Sequence, residues 1–257
     1  MNNFFNLENK VAVITGSSRG IGKAIALRFA ELGAKIIVSS RKINACEQVV
    51  KEIIDGGGFA SAFECNISNK DSCQELITFA NKKYGKIDTL VCNAASNPYY
   101  GDLADIPDES FEKIMNNNVK SNLWLCKNVI PHLKNNKSGS IIIISSIAGL
   151  QGVKNLGAYS ISKTADIGLI RSLAVELGKY NITVNGLCPG IIKTDFAKAL
   201  WENPNVLKEV ESYAPLKRIG TTDEVAGAAI LLASKPGAFI TGQVITMDGG
   251  ITIAGRG

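Results

Sequence analysis

The sequence has almost none of the side chain that most often handles protons near neutral pH. Its one histidine, His132, lies in Pro131-His132-Leu133-Lys134 near the end of an expected helix. With no carboxylate partner or second ligand nearby in sequence, it reads as a surface residue rather than a base or a metal ligand. Paired cysteine spacing is also missing. Cys46, Cys65, Cys73, Cys92, Cys126 and Cys188 fall singly, mostly in apolar strand or helix contexts. That excludes a zinc knuckle or disulfide framework and predicts buried reduced thiols in a cytoplasmic protein with no metal. A net charge of +5, from 28 basic and 23 acidic residues, is dispersed, and no Lys/Arg run marks a nucleic-acid surface. No apolar run is long enough for a bilayer, and Met1-Asn2-Asn3-Phe4-Phe5-Asn6 is no charged leader before an apolar core, so no membrane partner is expected. Linkers, repeats and low-complexity segments are absent too. With 46% hydrophobic residues, residues 1–257 are expected to fold as a single domain around a large core.

What is present is an alternation of short apolar runs and amphipathic stretches. Strands are expected at Val11–Ile14, Lys35–Val38, Phe59–Phe63, Ile87–Val91, Ser140–Ile144, Ile182–Leu187 and Val244–Met247. Between them the 3.6-residue period predicts helices from Ile21 to Gly33 and over Asn44–Asp55, Lys70–Tyr84, Asp108–Asn135 and Gly157–Lys179. Two shorter helical stretches and a last helix over Asp223–Leu232 follow. Such alternation predicts an α/β fold, a Rossmann-like doubly wound parallel sheet flanked by helices.

The first strand runs straight into Thr15-Gly16-Ser17-Ser18-Arg19-Gly20-Ile21-Gly22 and then a helix. In that context Gly16 and Gly20 let backbone approach a pyrophosphate, and Gly22 lets the helix pack against the strand. Ser18, Arg19 and Ile21 belong to the same dinucleotide-binding turn. After the second strand, Ser39-Ser40-Arg41-Lys42 has no carboxylate for the adenosine ribose hydroxyls. Ser40, Arg41 and Lys42, with Arg19 nearby, suit a 2′-phosphate, so NADP(H) is favoured over NAD(H).

Tyr159 and Lys163 are four residues apart and stack on one helix face. A phenol ordinarily ionises near pH 10, and a fixed ammonium beside it favours the phenolate, giving an acid-base group usable nearer neutrality. Ser146 ends the apolar run Ile141–Ile144, where a parallel sheet presents its carboxyl edge.

Together, Thr15-Gly16-x-x-x-Gly20-x-Gly22, Asn93-Ala94-Ala95, Asn118, Ser146, Tyr159-x-x-x-Lys163 and Pro189-Gly190 resemble the short-chain dehydrogenases/reductases over essentially the whole chain. The wording around Asn93–Pro98 and Ser39–Lys42 is similar to the NADP(H)-dependent carbonyl-reductase-type branch. The resemblance implies Tyr159 as proton donor or acceptor, Ser146 bonded to the same substrate oxygen, and Lys163 on the nicotinamide ribose. It also implies Asn118 holding a water that links Lys163 to solvent. Asn66 would meet the adenine amino group, Ile191, Ile192 and Thr194 the nicotinamide amide, and Ile67, Asn93, Ala94, Ala95, Pro189 and Gly190 would also bind the cofactor. The family often has aspartate where Asn66 stands and glycine where Ala95 stands. Residues 195–215, with Phe196, Leu200 and Trp201, resemble its substrate-covering loop, facing Asn97, Pro98, Tyr99, Leu150 and Val153.

The reaction implied is hydride transfer between NADP(H) and a ketone, aldehyde or secondary alcohol. The competing enzyme reading is a 3-oxoacyl-[acyl-carrier-protein] reductase. It is weakened by Val175, where those reductases commonly carry arginine, although Lys134 and Lys137 could attract an acidic carrier. A cofactor-binding regulator without turnover would not need Asn118, Ser146, Tyr159 and Lys163 together. The resemblance also implies a homo-oligomer, a tetramer or a dimer.

Overall fold

The structure, a computed structural model, describes residues 4–254; the first and last three residues of the expected 1–257 domain lie outside the described residues. The chain runs β1 Val11–Thr15, α1 Gly20–Glu31, β2 Lys35–Ser40, α2 Ile43–Asp55, β3 Phe59–Glu64, α3 Lys70–Tyr84 and β4 Thr89–Cys92. It continues with α4 Asp108–Met115, α5 Ser121–Asn136, β5 Gly139–Ile144, α6 Gly157–Leu177 and β6 Ile182–Pro189. Two short helices, α7 Lys198–Trp201 and α8 Pro204–Tyr213, precede α9 Thr222–Ala233 and β7 Val244–Met247.

The seven strands are all parallel in the order β3-β2-β1-β4-β5-β6-β7. Their Val/Ile runs are apolar on both faces because both faces are covered. On one side α1, α2 and α9 close a core holding Ile25, Phe29, Val49 and Ala229. On the other, α3, α5 and α6 close a second core around Leu76, Leu125, Val129 and Ile170. The order reverses direction between β1 and β4, the switch point where a doubly wound sheet opens a crevice at its carboxyl edge. All six cysteines are buried free thiols.

Two expectations shift. The strand expected over Ile87–Val91 begins at Thr89, because Asp88 is a brace: its Oδ2 accepts from Val11 N at 2.8 Å and its carbonyl from Ser140 N at 3.0 Å. The single helix expected over Asp108–Asn135 is two, joined by a π turn at Asn116–Lys120. In that wider turn side chains take up loosened carbonyls: Ser121 Oγ donates to Asn117 O at 2.6 Å and Asn122 Nδ2 to Asn118 O at 2.7 Å. As a result α4 packs on α6, whereas α5 packs on α3 and β5.

Candidate active site

At the end of β1 the chain turns through Gly16 at φ +65° and Gly20 at φ +57°, left-handed values open to glycine at little cost. A Cβ on Gly22 would stand 2.5 Å from both Gly16 O and Asn93 Nδ2, so only glycine lets α1 begin this close to the strand. Asn93 closes the turn from β4, donating through Nδ2 to Thr15 O at 2.9 Å and Gly16 O at 3.0 Å. Asn93 N and Ala94 N both donate to Thr15 Oγ1. Thr194 comes to the other side of Gly20, 3.5 Å from where its Cβ would be. The result is a bare-backbone cradle at a helix N-terminus and sheet switch point, and it fits a dinucleotide pyrophosphate.

Around the cradle the other expected cofactor residues spread along the carboxyl edge. Arg41 and Lys42 are exposed after β2; Ser18, Ile21 and Ser40 are half-buried, and Ser40 Oγ contacts Cys46 Sγ at 3.1 Å. Arg19 is exposed, with Nη1 3.7 Å from Asp195 Oδ2. Asn66 Oδ1 accepts from Ser68 N at 3.2 Å and Ser68 Oγ at 2.8 Å, closing its own turn beside buried Ile67. Ala95 is half-buried. Pro189 ends β6, and Gly190 lies against Asp248, 2.8 Å from its Cα to a would-be Cβ. Ile191 and Lys193 then pair through backbone with Gly220, and Ile192 is buried.

Ser146 follows β5 and caps the 3-10 turn Ile147–Gly149, its Oγ accepting from Ala148 N at 3.1 Å. Gly149 is pressed onto the Lys163 backbone, leaving 2.7 Å for a Cβ, so the Ser146 turn seats directly on α6. Ser145 Oγ adds a bond to Lys163 O at 2.9 Å. On α6, Lys163 Nζ lies 5.7 Å from the Tyr159 ring centroid. Asn118 is fully buried: its Oδ1 accepts from Ser96 N, and its Nδ2 donates to Ser96 O and to Ser162 Oγ, each near 3.0 Å.

Two residues that sequence reasoning missed complete this cluster. Lys163 Nζ donates to Ile144 O at 2.9 Å and to Asp166 Oδ2 at 3.1 Å, and both side chains are buried. Asn122 Nδ2 donates to Asp166 Oδ1 at 2.9 Å. Burial pulls the Lys163 ammonium down, but the Asp166 charge, then Tyr159, outweigh it and hold it above its usual value. Burial pushes the Asp166 carboxyl up against the opposing pull of Lys163. With two donors on the carboxylate and two acceptors on the ammonium, the charged pair is the state the geometry supports. Breaking such a buried pair by removing one partner costs about 3–5 kcal/mol. The signal was there: Asp166 lies three residues after Lys163 and seven after Tyr159, on the same face of α6.

Residues 195–215 are mostly helical, comprising a 3-10 turn Asp195–Ala197, α7 and α8. Trp201 Nε1 donates to Thr194 O at 2.8 Å and anchors this segment beside the cradle. Phe196 is 63% exposed and its ring centroid is 6.2 Å from that of Tyr159. Leu150 is exposed and Asn97, Tyr99 and Val153 are half-buried. A cavity of about 650 Å³ lies between Val210, Ala214, Met247 and Ile253. Ile191 and Ile192 line it, but none of Ser146, Tyr159 or Lys163 does. His132 is half-buried in α5. Among the described residues no cluster of His, Cys, Asp or Glu could hold a metal, and no helix is long and apolar enough to cross a membrane.

A family model described as enoyl-(acyl carrier protein) reductase matches residues 16–252. Among curated proteins the chain is 40% identical over 244 residues to dehydrogenase/reductase SDR family member 4 of Bos taurus, covering 95% of this chain and 88% of the relative. It is 38% identical over 243 residues to tropinone reductase-like 3 of Erythroxylum coca, covering 95% and 93%. Among solved structures, a 7α-hydroxysteroid dehydrogenase complexed with NADH and 7-oxo glycochenodeoxycholic acid superposes with a TM-score of 0.93 at 36% identity, over 97% and 98% of the two chains. A Beutenbergia cavernae protein described as an NAD(P)-dependent gluconate 5-dehydrogenase candidate, with NADP at low occupancy, gives 0.93 at 29% identity over 98% and 100%. With this likeness over nearly its whole length and a cradle built for a dinucleotide, the chain belongs to the short-chain dehydrogenase/reductase family and is an NAD(P)-dependent oxidoreductase.

Proposed function

We propose that the chain is an NADP(H)-dependent carbonyl reductase or alcohol dehydrogenase for ketones, aldehydes or secondary alcohols, with Tyr159 as general acid-base. The observation that carries this reading is the Tyr159 phenol on α6 with the Lys163 ammonium 5.7 Å from its ring, next to the turn capped by Ser146. The bound nicotinamide supplies or accepts the hydride. In reduction, Tyr159 gives its proton to the carbonyl oxygen; in oxidation it takes the hydroxyl proton. Ser146 Oγ already accepts from Ala148 N, so its own O–H is left to donate to that same oxygen. Lys163 places a positive charge beside the phenol. Buried Asn118 ties α6 to the segment after β4 through Ser96 and Ser162, keeping the substrate wall in register with Tyr159.

Support for NADP(H) comes from the end of β2, where exposed Arg41 and Lys42 follow Ser40 and Arg19 projects from the turn. The carboxylate in register with Ser40 is Glu64 on the neighbouring strand. Titration with NADPH and NADH, followed by a carbonyl panel with wild type and Tyr159→Phe, tests both parts. Tighter NADPH binding and abolished turnover with cofactor binding retained are expected. Tighter NADH binding overturns the cofactor preference, and unchanged turnover overturns the role of Tyr159.

The acyl-carrier reading gains only the family model's description. Val175, on α6 where an arginine would meet an acidic carrier, is 86% exposed and apolar. Exposed Leu123, Ile161 and Val175 on α5 and α6, with fully exposed Phe239 near β7, support a homo-oligomer, dimer or tetramer. Sedimentation as a monomer only would count against it.

A further inference from the structure

We propose that Asp166, backed by Asn122, is a positioning residue that keeps Lys163 charged and orients it for Tyr159. This deepens, and rests on, the reading of Tyr159 as the acid-base group.

The two carbonyl and carboxylate acceptors around Lys163 account for two of the three N–H donors of its ammonium: Ile144 O at 2.9 Å and Asp166 Oδ2 at 3.1 Å. Both acceptors are rigid. Ile144 is the last residue of β5, and Asp166 is fixed through its other oxygen by Asn122 at 2.9 Å. The third N–H is the one left for the cleft, and Tyr159 stands on the same face of α6. Lys163 is 2% exposed and Asp166 fully buried, so water gives this ammonium little help. A lone lysine in such a place tends to shed its proton. A neutral Lys163 would bring no charge to the phenol.

Other ionisable groups near the pair do not replace Asp166. Facing it are Tyr159 on its own helix, Cys188 on β6, and Cys92 on β4 with Cys126 of α5 behind it. Burial pushes the Cys188 thiol up. The Cys126 side chain, and then burial, hold the Cys92 thiol well up, so both remain uncharged near neutrality. Asp166 is therefore the one carboxylate in contact with Lys163 among the described residues. Asn122 does double duty, since the same Nδ2 meets Asn118 O at 2.7 Å, the carbonyl loosened by the π turn. A continuous chain of side chains thus runs Lys163–Asp166–Asn122 to the backbone of Asn118, along the route where a water-mediated link from Asn118 was expected.

The test follows the lysine directly. In full-length protein labelled with 13Cε-lysine, with Lys163→Met to assign the signal, Lys163 of the wild type is expected to stay protonated from about pH 6 to 10. In Asp166→Asn its signal should titrate at least one pH unit lower. Asn122→Ala, which loosens Asp166 without removing its charge, should shift it by less in the same direction. At pH values where Lys163 has lost its proton in Asp166→Asn but keeps it in the wild type, kcat/KM for alcohol oxidation should fall relative to the wild type, a change that loss of packing alone would not produce. An unmoved Lys163 signal in Asp166→Asn, or a ratio of variant to wild-type kcat/KM that stays constant with pH, overturns the proposal. If Asp166→Asn does not fold, an unmoved signal in Asn122→Ala overturns it instead. Should Tyr159→Phe keep full turnover while the lysine signal shifts as expected, the role of Tyr159 falls and the charge-holding role of Asp166 stands.

Discussion

Phe196 sets its ring 6.2 Å from the ring of Tyr159, so the segment after Thr194 reaches the phenol. The tie runs back through Trp201, whose indole N–H holds Thr194 O at 2.8 Å. A side chain 63% exposed beside a reacting group has apolar area to offer a substrate.

Phe196→Ala should therefore weaken capture of bulky apolar carbonyl compounds. Losing that contact is expected to cost about 1–3 kcal/mol in kcat/KM, roughly 5- to 150-fold, mostly through KM. Small ketones that cannot reach Phe196 should lose much less. Steady-state kinetics with a homologous ketone series checks this; equal losses along the series would remove Phe196 from the substrate wall.

Gly22→Ala should damage the dinucleotide cradle. Its Cβ would meet Gly16 O and Asn93 Nδ2 at 2.5 Å, and the first of these is backbone that cannot swing away. Overpacking of this kind costs about 1–3 kcal/mol. Because the strained atoms form the turn itself, nucleotide affinity should fall along with thermal stability. Calorimetric titration and melting curves measure the two, and a variant with wild-type nucleotide affinity would contradict the close-approach role.

Acid sensitivity should be visible at the start of α9. Arg218 first, then the Thr221 N–H, hold the Glu224 carboxyl down to about 2 from its ordinary 4.5. A carboxyl with its folded value depressed stabilises fully above its unfolded value and loses that contribution as pH falls through the folded one. The window is thus from about 4.5 down to about 2. Because the pair is exposed, the effect is small, at most about 2–4 °C in Tm. Arg218→Ala should melt below wild type at neutral pH, and the gap should close as pH falls through that window; a constant gap would assign the effect to packing.

Much of the fold was readable because its determinants are local. The Val/Ile runs of β1, β2, β5 and β6 and the glycine turn sit where periodicity put them, within a residue or two. The break between α4 and α5 was hidden because Asn116-Asn117-Asn118 reads as polar helix surface. What bends the chain there is a set of side-chain bonds to distant partners, Ser96 among them. Asp166 was missed for a related reason. A single acidic residue on an apolar helix looks like a solvated position until the fold shows it buried against Lys163. The glycine turn, Ser146, Tyr159 and Lys163 were legible because each carries its own chemistry; Asn122 and Asp166 act through another residue, and that relation has no local signature.

The strand order has a consequence for the growing chain. Asn118, Ser146, Tyr159 and Lys163, with the glycine turn, all precede residue 190, whereas Thr194, residues 195–215, α9 and β7 are made last. Since β7 occupies the outer edge next to β6, it joins without any earlier strand giving way. Synthesis from the N-terminus therefore supplies the glycine turn and the Ser146, Tyr159 and Lys163 cluster first, and Thr194 and residues 195–215 follow a sheet whose first six strands are already made.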